Sequence, residues 1–292
     1  MKYLESTIDK ISGKKILVVS FSGMTPHLET SLEVSRRLSV HNHLSYIHLG
    51  LYVPRASLYS RKFLKRKLQF PILVSRSKRY LKKHSSKIAN TNWIDPNQCV
   101  KVMENIYKHI DASKYKERLT TLDQLKTIKF DGYNIGIGVA STLITILKNP
   151  NPFPLSKSTK KECKEQITSA IKSVIMAKEL LDKDNFDTLV ILNGRLSCEN
   201  AFKQVAHSKG IKTYFHESSF KNTRFFFEDY MPHDFQKRKL EMLKMKTNLS
   251  KKEIDLLGND FFKRMTKSES VYEKSYNQNQ LKTLSPSLQE RI

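Results

Sequence analysis

Residues 187–217, DTLVILNGRLSCENAFKQVAHSKGIKTYFHE, carry one strand–helix–strand unit from end to end. The apolar run Leu189 to Leu192 reads as a buried strand, and Asn193-Gly194-Arg195 as the turn that leaves it. An amphipathic helix starts near Ser197 and stops at Gly210, a residue type that accepts the left-handed conformation of a helix end. A second strand follows from Ile211 and ends on His216 and Glu217. Crossovers of this length join parallel strands and turn right-handed. The expected fold class is therefore α/β.

The same alternation opens the chain. KKILVVSFSG (14–23) is a β-branched apolar run ending in Gly23, as buried parallel strands do. In the next segment Thr25 can cap a helix, Pro26 suits its first turn, and Leu28, Leu32 and Leu38 recur at helical spacing. LSYIHLGLYV (44–53) reads as the second strand. Between 55 and 130 basic residues alternate with aromatics and Leu; helices are expected near 57–69 and 97–110, with FPILVSR (70–76) a strand candidate. DGYNIGIGVASTLITILKN (131–149) holds a GxG without the spacing of a dinucleotide fingerprint, which predicts a glycine turn before an apolar helix. After the Pro-rich break NPNPFPLS (149–156), a helix is expected over about 160–183, opened by a Thr159/Glu162 capping box. Ile167, Ala170, Ile171, Val174, Ile175 and Leu181 trace its apolar face. The architecture this implies is a Rossmann-like open parallel sheet with flanking helices over 1–235, then a helical segment over 236–292.

Composition narrows the classes. With 39% hydrophobic and 27% charged residues, 15 Phe and 12 Tyr, the 292-residue chain can bury a core. Cys99, Cys163 and Cys198 stand far apart without ligand spacing, which speaks against a disulfide framework or zinc site and fits the cytoplasm. The first residues lack a signal-peptide core, and the longest apolar runs are strand-sized. A net charge of +24 favours polyanions, whether nucleic acid, anionic lipid or phosphorylated substrates. It is equally the signature of a solvated Lys-rich surface.

Ligands of open parallel sheets sit at the carboxyl ends of the strands, where SGMTPH, NGRLS and HESSFKNTR are expected to meet. His27, at the start of a helix, would be held neutral by burial and the helix dipole, as a general base requires. Asn193, Gly194 and Arg195 precede a helix N-terminus suited to anionic or polyhydroxylated ligands, with Arg195 able to fork a phosphate; an ordinary turn explains them too. His216 and Glu217 can bind sugar hydroxyls or move protons, or Glu217 can pair with Arg224 to order its loop. Gly23 and Arg224 complete the binding set, and no metal ligands are expected.

The glycine-ended first strand with TPHLETSLEVSRRLSVHNHLSYIHLG resembles the amino-terminal half of two-Rossmann-domain (GT-B) glycosyltransferases. The pattern D-x-L-V-x-x-x-N-G-R … A … G-I … H-E is similar to that of bacterial capsular-polysaccharide and lipopolysaccharide glycosyltransferases. GIKTYFHE also resembles the lipid-linked N-acetylglucosaminyltransferases of cell-wall synthesis. The likeness spans 14–53 and about 131–235. It implies sugar transfer from a nucleotide-sugar donor to a saccharide or lipid-linked acceptor hydroxyl, with His27 or Glu217 as catalytic base and no further cofactor. It also implies a second Rossmann domain for the donor, which this reading does not find before Ile292, so a missing carboxyl-terminal domain or a partner subunit is expected to supply it. Such enzymes work in the cytoplasm, often peripherally on the anionic inner membrane face, where RKFLKRKLQF would be an interfacial segment. The alternative is a non-catalytic basic nucleic-acid-binding protein, motivated by charge and by KNTRFFF but without a recognised nucleic-acid motif. A sulfotransferase would need a phosphate-binding loop where SFSGMTPH has one glycine.

Overall fold

The computed structural model describes residues 7–22, 27–50, 79–86, 88–111, 113–115, 119–218, 225–247 and 249–266. The helix expected at 57–69, the strand candidate 70–76, Gly23, Thr25, Pro26 and Arg224 lie outside them.

The chain is α/β. Strand β1 (Lys15–Ser20) leads through helix α1 (His27–Leu38) to β2 (His43–His48), and β3 (Thr91–Trp93) follows. Helices α2 (Pro96–Tyr107) and α3 (Leu122–Lys126) precede a short hairpin of β4 (Lys129–Phe130) and β5 (Tyr133–Asn134). Next come α4 (Gly136–Leu147), α5 (Lys157–Lys183), β6 (Thr188–Leu192), α6 (Ser197–Ser208), β7 (Lys212–Ser218) and β8 (Phe225–Glu228). The main sheet has the order β3-β2-β1-β6-β7-β8. All its pairings are parallel except β7 with the edge strand β8.

Both sheet faces are covered, which is why β1 and β6 read as unbroken apolar runs. Leu17, Val19, Ile47, Leu189, Ile191 and Phe215 point to the face packed by α2, α4, α5 and α6. Ile16, Val18, Tyr46, Val190 and Tyr214 point to the other, where α1 supplies Leu28, Leu32 and Leu38. Burying each such Leu stabilises the fold by roughly 1.5–3 kcal/mol over leaving it exposed.

Two expectations need correcting. The GxG is no turn: Gly136 and Gly138 lie inside α4, while the turn before it is Asp131-Gly132, with φ of 51° and 82°. The first turn of α5 is set by Ser156, whose hydroxyl accepts the Thr159 N–H, one turn ahead of the Thr159/Glu162 box. The chain also divides into two compact units, residues 1–218 with 225–232, and residues 219–224 with 233–292. The second unit contains α7 (Phe235–Thr247) and α8 (Lys251–Thr266).

Candidate functional site

The strand order reverses between β1 and β6: β1 connects to β2 on one side, and β6 lies on the other. Such a reversal is where open α/β sheets characteristically bind ligands. His27 follows β1 and Asn193 follows β6 at this point.

Glu217, near the end of β7, joins them. Its Oε1 lies 3.4 Å from His27 Nδ1 and its Oε2 accepts a 2.8 Å hydrogen bond from Asn193 Nδ2. Asn193 reaches inward because its backbone takes a left-handed turn, φ 58°, followed by Gly194 at 77°. The turn is pinned by the Asn193 N–H donating to the His216 carbonyl at 3.0 Å. Residues 24 and 190 positions apart in sequence, Asn193 and His27 to Glu217, thus converge on one carboxylate.

Electrostatics favour a neutral His27. Burial lowers its pKa below the ordinary histidine value, and the attraction of Glu217 and Glu29 offsets this only in part. A proton on Nδ1 faces Glu217, which leaves Nε2 as the basic nitrogen. That arrangement can accept a proton from a hydroxyl and hold the resulting imidazolium beside a carboxylate.

His216 is 1% exposed, and burial with the nearby His27 pushes its pKa to about 3. Neither ring nitrogen has a hydrogen-bond partner among the described residues. It is therefore a neutral wall residue, brought beside His27 as expected yet closed to solvent. Arg195 points to α4, donating to Ser141 Oγ at 3.0 Å and Thr145 Oγ1 at 2.9 Å. Through these bonds it ties the loop after β6 to that helix.

Two residues at this rim escaped the sequence reading. His48, which pairs in register with Ser20, is buried with its Nδ1 3.3 Å from Ser20 Oγ, and desolvation lowers its pKa to about 4. Glu199, in the first turn of α6, is 2% exposed, and burial raises its pKa to about 8. The only available signal for Glu199 was an acidic residue at a helix start, which is ordinary dipole chemistry.

The three thiols are buried and free, and desolvation pushes Cys99 to about 11 and Cys163 to about 12. Among the described residues no group of three or more His, Cys, Asp or Glu could hold a metal ion, and no helix is long and apolar enough to cross a membrane. The chain matches no protein-family model, and comparison with curated proteins and with solved structures finds no match.

Proposed function

We propose that the rim is the acceptor side of a glycosyltransferase, in which His27 removes the proton from an acceptor hydroxyl as a sugar leaves its nucleotide. The observation that carries this reading is the Asn193–Glu217–His27 chain at the β1/β6 reversal. Glu217 orients the imidazole and balances its charge once it is protonated, and Asn193 holds Glu217. No covalent intermediate is required: the acceptor oxygen forms the new glycosidic bond, the nucleotide departs with the electron pair of the broken one, and His27 keeps the proton until it exchanges with water. In this reading a second Rossmann-type body, on this or another chain, binds the donor. Surface-polysaccharide synthesis at an anionic membrane face is the setting that the +24 charge suits.

The test is transfer of radiolabel from nucleotide sugars to polyprenyl-phosphate-linked saccharides, alongside equilibrium binding of those acceptors to the chain alone. His27→Ala and Glu217→Ala are each expected to lower transfer by about 10²- to 10⁴-fold. Full turnover in either variant removes that residue from the chemistry. Absence of both transfer and acceptor binding removes the proposal.

A further inference from the structure

Helices α7 and α8 of the second unit border a trough of about 630 Å³. On α7 it is lined by Phe235, Arg238, Lys239, Met242, Leu243 and Lys246, the i, i+3, i+4, i+7, i+8 and i+11 positions of one helical face. Leu249 in the connection and Ile254 on α8 complete its apolar wall. A reciprocal capping box fixes the corner between the helices: Ser250 Oγ accepts the Glu253 N–H at 3.3 Å, and Glu253 Oε2 accepts the Ser250 N–H at 2.9 Å. Asp234 is engaged in the same way, its Oδ1 accepting the Lys237 N–H at the start of α7. The trough thus joins five apolar side chains to three cations, and among the described residues no acidic side chain lines it. Phe235, Met242 and Leu243 are exposed, so covering this face would remove apolar surface from water.

We propose that this trough seats one acyl chain of a single-chain anionic lipid, with Arg238, Lys239 and Lys246 holding the charged head. Its volume falls within the roughly 300–1,000 Å³ of small-molecule sites, and the stripe from Phe235 to Lys246 runs about 16 Å along the helix. Lys and Arg lay their methylene stems along apolar surface while their heads stay in water, so one face offers hydrocarbon contact and positive charge together. Charge then selects the occupant. A second copy docked across a twofold axis would set these cations against their own images. A nucleic-acid strand would meet the cations with phosphates but leave the apolar wall without a match. An anionic lipid complements both parts. Every residue involved belongs to the second unit, so lipid binding here stands apart from the sugar-transfer reading.

The experiment is calorimetric titration of the full chain with decanoyl and dodecanoyl lysophosphatidic acid, both below their micelle-forming concentrations. A single site per chain is expected, with the dodecanoyl lipid about tenfold tighter for its added methylenes. Glycerol phosphate, the same head without a chain, should show no measurable binding, and dodecanoyl lysophosphatidylcholine should bind at least about tenfold more weakly. Lys239→Glu with Lys246→Glu should remove that head-group preference, and Met242→Ser with Leu243→Ser should lower affinity for the dodecanoyl lipid by about tenfold or more. If a double variant does not fold by circular dichroism, the wild-type chain-length and head-group comparisons decide. The proposal is overturned if chain length has no effect, if glycerol phosphate binds as well as the lipid, or if the folded variants bind as the wild type does. A dimer that Met242→Ser with Leu243→Ser dissociates would give the trough to a second copy, and displacement of the lipid by duplex DNA would give it to nucleic acid; either result overturns it as well.

Discussion

Gly194 shows how narrowly the rim is set at single positions. Its φ is 77°, and a Cβ added there would lie 2.3 Å from Cε1 of Phe215. Gly194→Ala is therefore strained by both its backbone and its neighbour, and we expect a loss of at least about 2 kcal/mol in urea denaturation together with weakened Asn193–Glu217 contact. Wild-type stability in that variant would mean the turn relaxes freely. The buried histidines make a second prediction. His48 and His216 have folded pKa values of about 4 and about 3 against an ordinary 6.5, so the unfolded chain binds their protons first. Their stabilising contribution is complete above pH 6.5 and is lost as pH falls through 4 towards 3. His216→Leu should flatten the acid side of a stability–pH curve; parallel curves would contradict the assignment. Glu199 acts in the opposite sense. Its folded value of about 8 exceeds the ordinary 4.5, so stability declines as pH climbs from 4.5 to about 8 and levels off beyond. His27, Asn193 and Glu217 were legible in the sequence because each ends or follows a recognisable strand. His48 and Glu199 were not, since their burial comes from chain distant in sequence: β1 with Ser20 beside His48, and α4 and α5 packed on α6.

The elements followed hydrophobic periodicity where it was strong and departed from it where packing or caps intervened. A Cβ on Gly138 would meet Cβ of Asn200 at 2.8 Å, and one on Gly136 would meet the Leu125 carbonyl oxygen at 1.9 Å. These glycines let α4 approach α6 and α3 closely, a demand of tertiary contact that a GxG in sequence cannot distinguish from a turn. Gly138→Ala is expected to push α4 from α6 and cost about 1–3 kcal/mol; because Arg195 is bonded to α4, the loop after β6 should shift with it. The start of α5 was misread by one turn because Ser156-x-x-Thr159 and Thr159-x-x-Glu162 both suit a helix entry. The hydroxyl that accepts the Thr159 N–H is that of Ser156, so Ser156→Ala should lower stability by about 1 kcal/mol. KNTRFFF (221–227), which runs into β8, was one motive for the nucleic-acid alternative. In the fold Phe227 stacks on Tyr214 with ring centroids 5.3 Å apart, so that aromatic is spent on the core.

For the whole molecule, charge and sheet topology answer different questions. The parallel order was readable because each strand–helix–strand unit constrains handedness and neighbours, whereas the partner implied by +24 depends on where the charge gathers. In the second unit, α7 carries Lys237, Arg238, Lys239, Lys244 and Lys246 beside exposed Phe235, Leu240, Met242 and Leu243. Phe235 is 76% and Met242 69% exposed, a mixture of cations and bared apolar groups that matches the interface of an anionic bilayer better than the regularly spaced phosphates of a duplex. The chain is expected to co-sediment with phosphatidylserine-containing vesicles, to ignore neutral phosphatidylcholine vesicles, and to be released by salt, because screening weakens each Lys or Arg contribution of about 1 kcal/mol at the surface. Phe235→Ser with Met242→Ser should weaken vesicle binding even at low salt, where charge alone would hold a purely electrostatic binder. If both substitutions leave binding intact while duplex DNA displaces the vesicles, the apolar groups play no part and the basic surface belongs to a nucleic-acid partner.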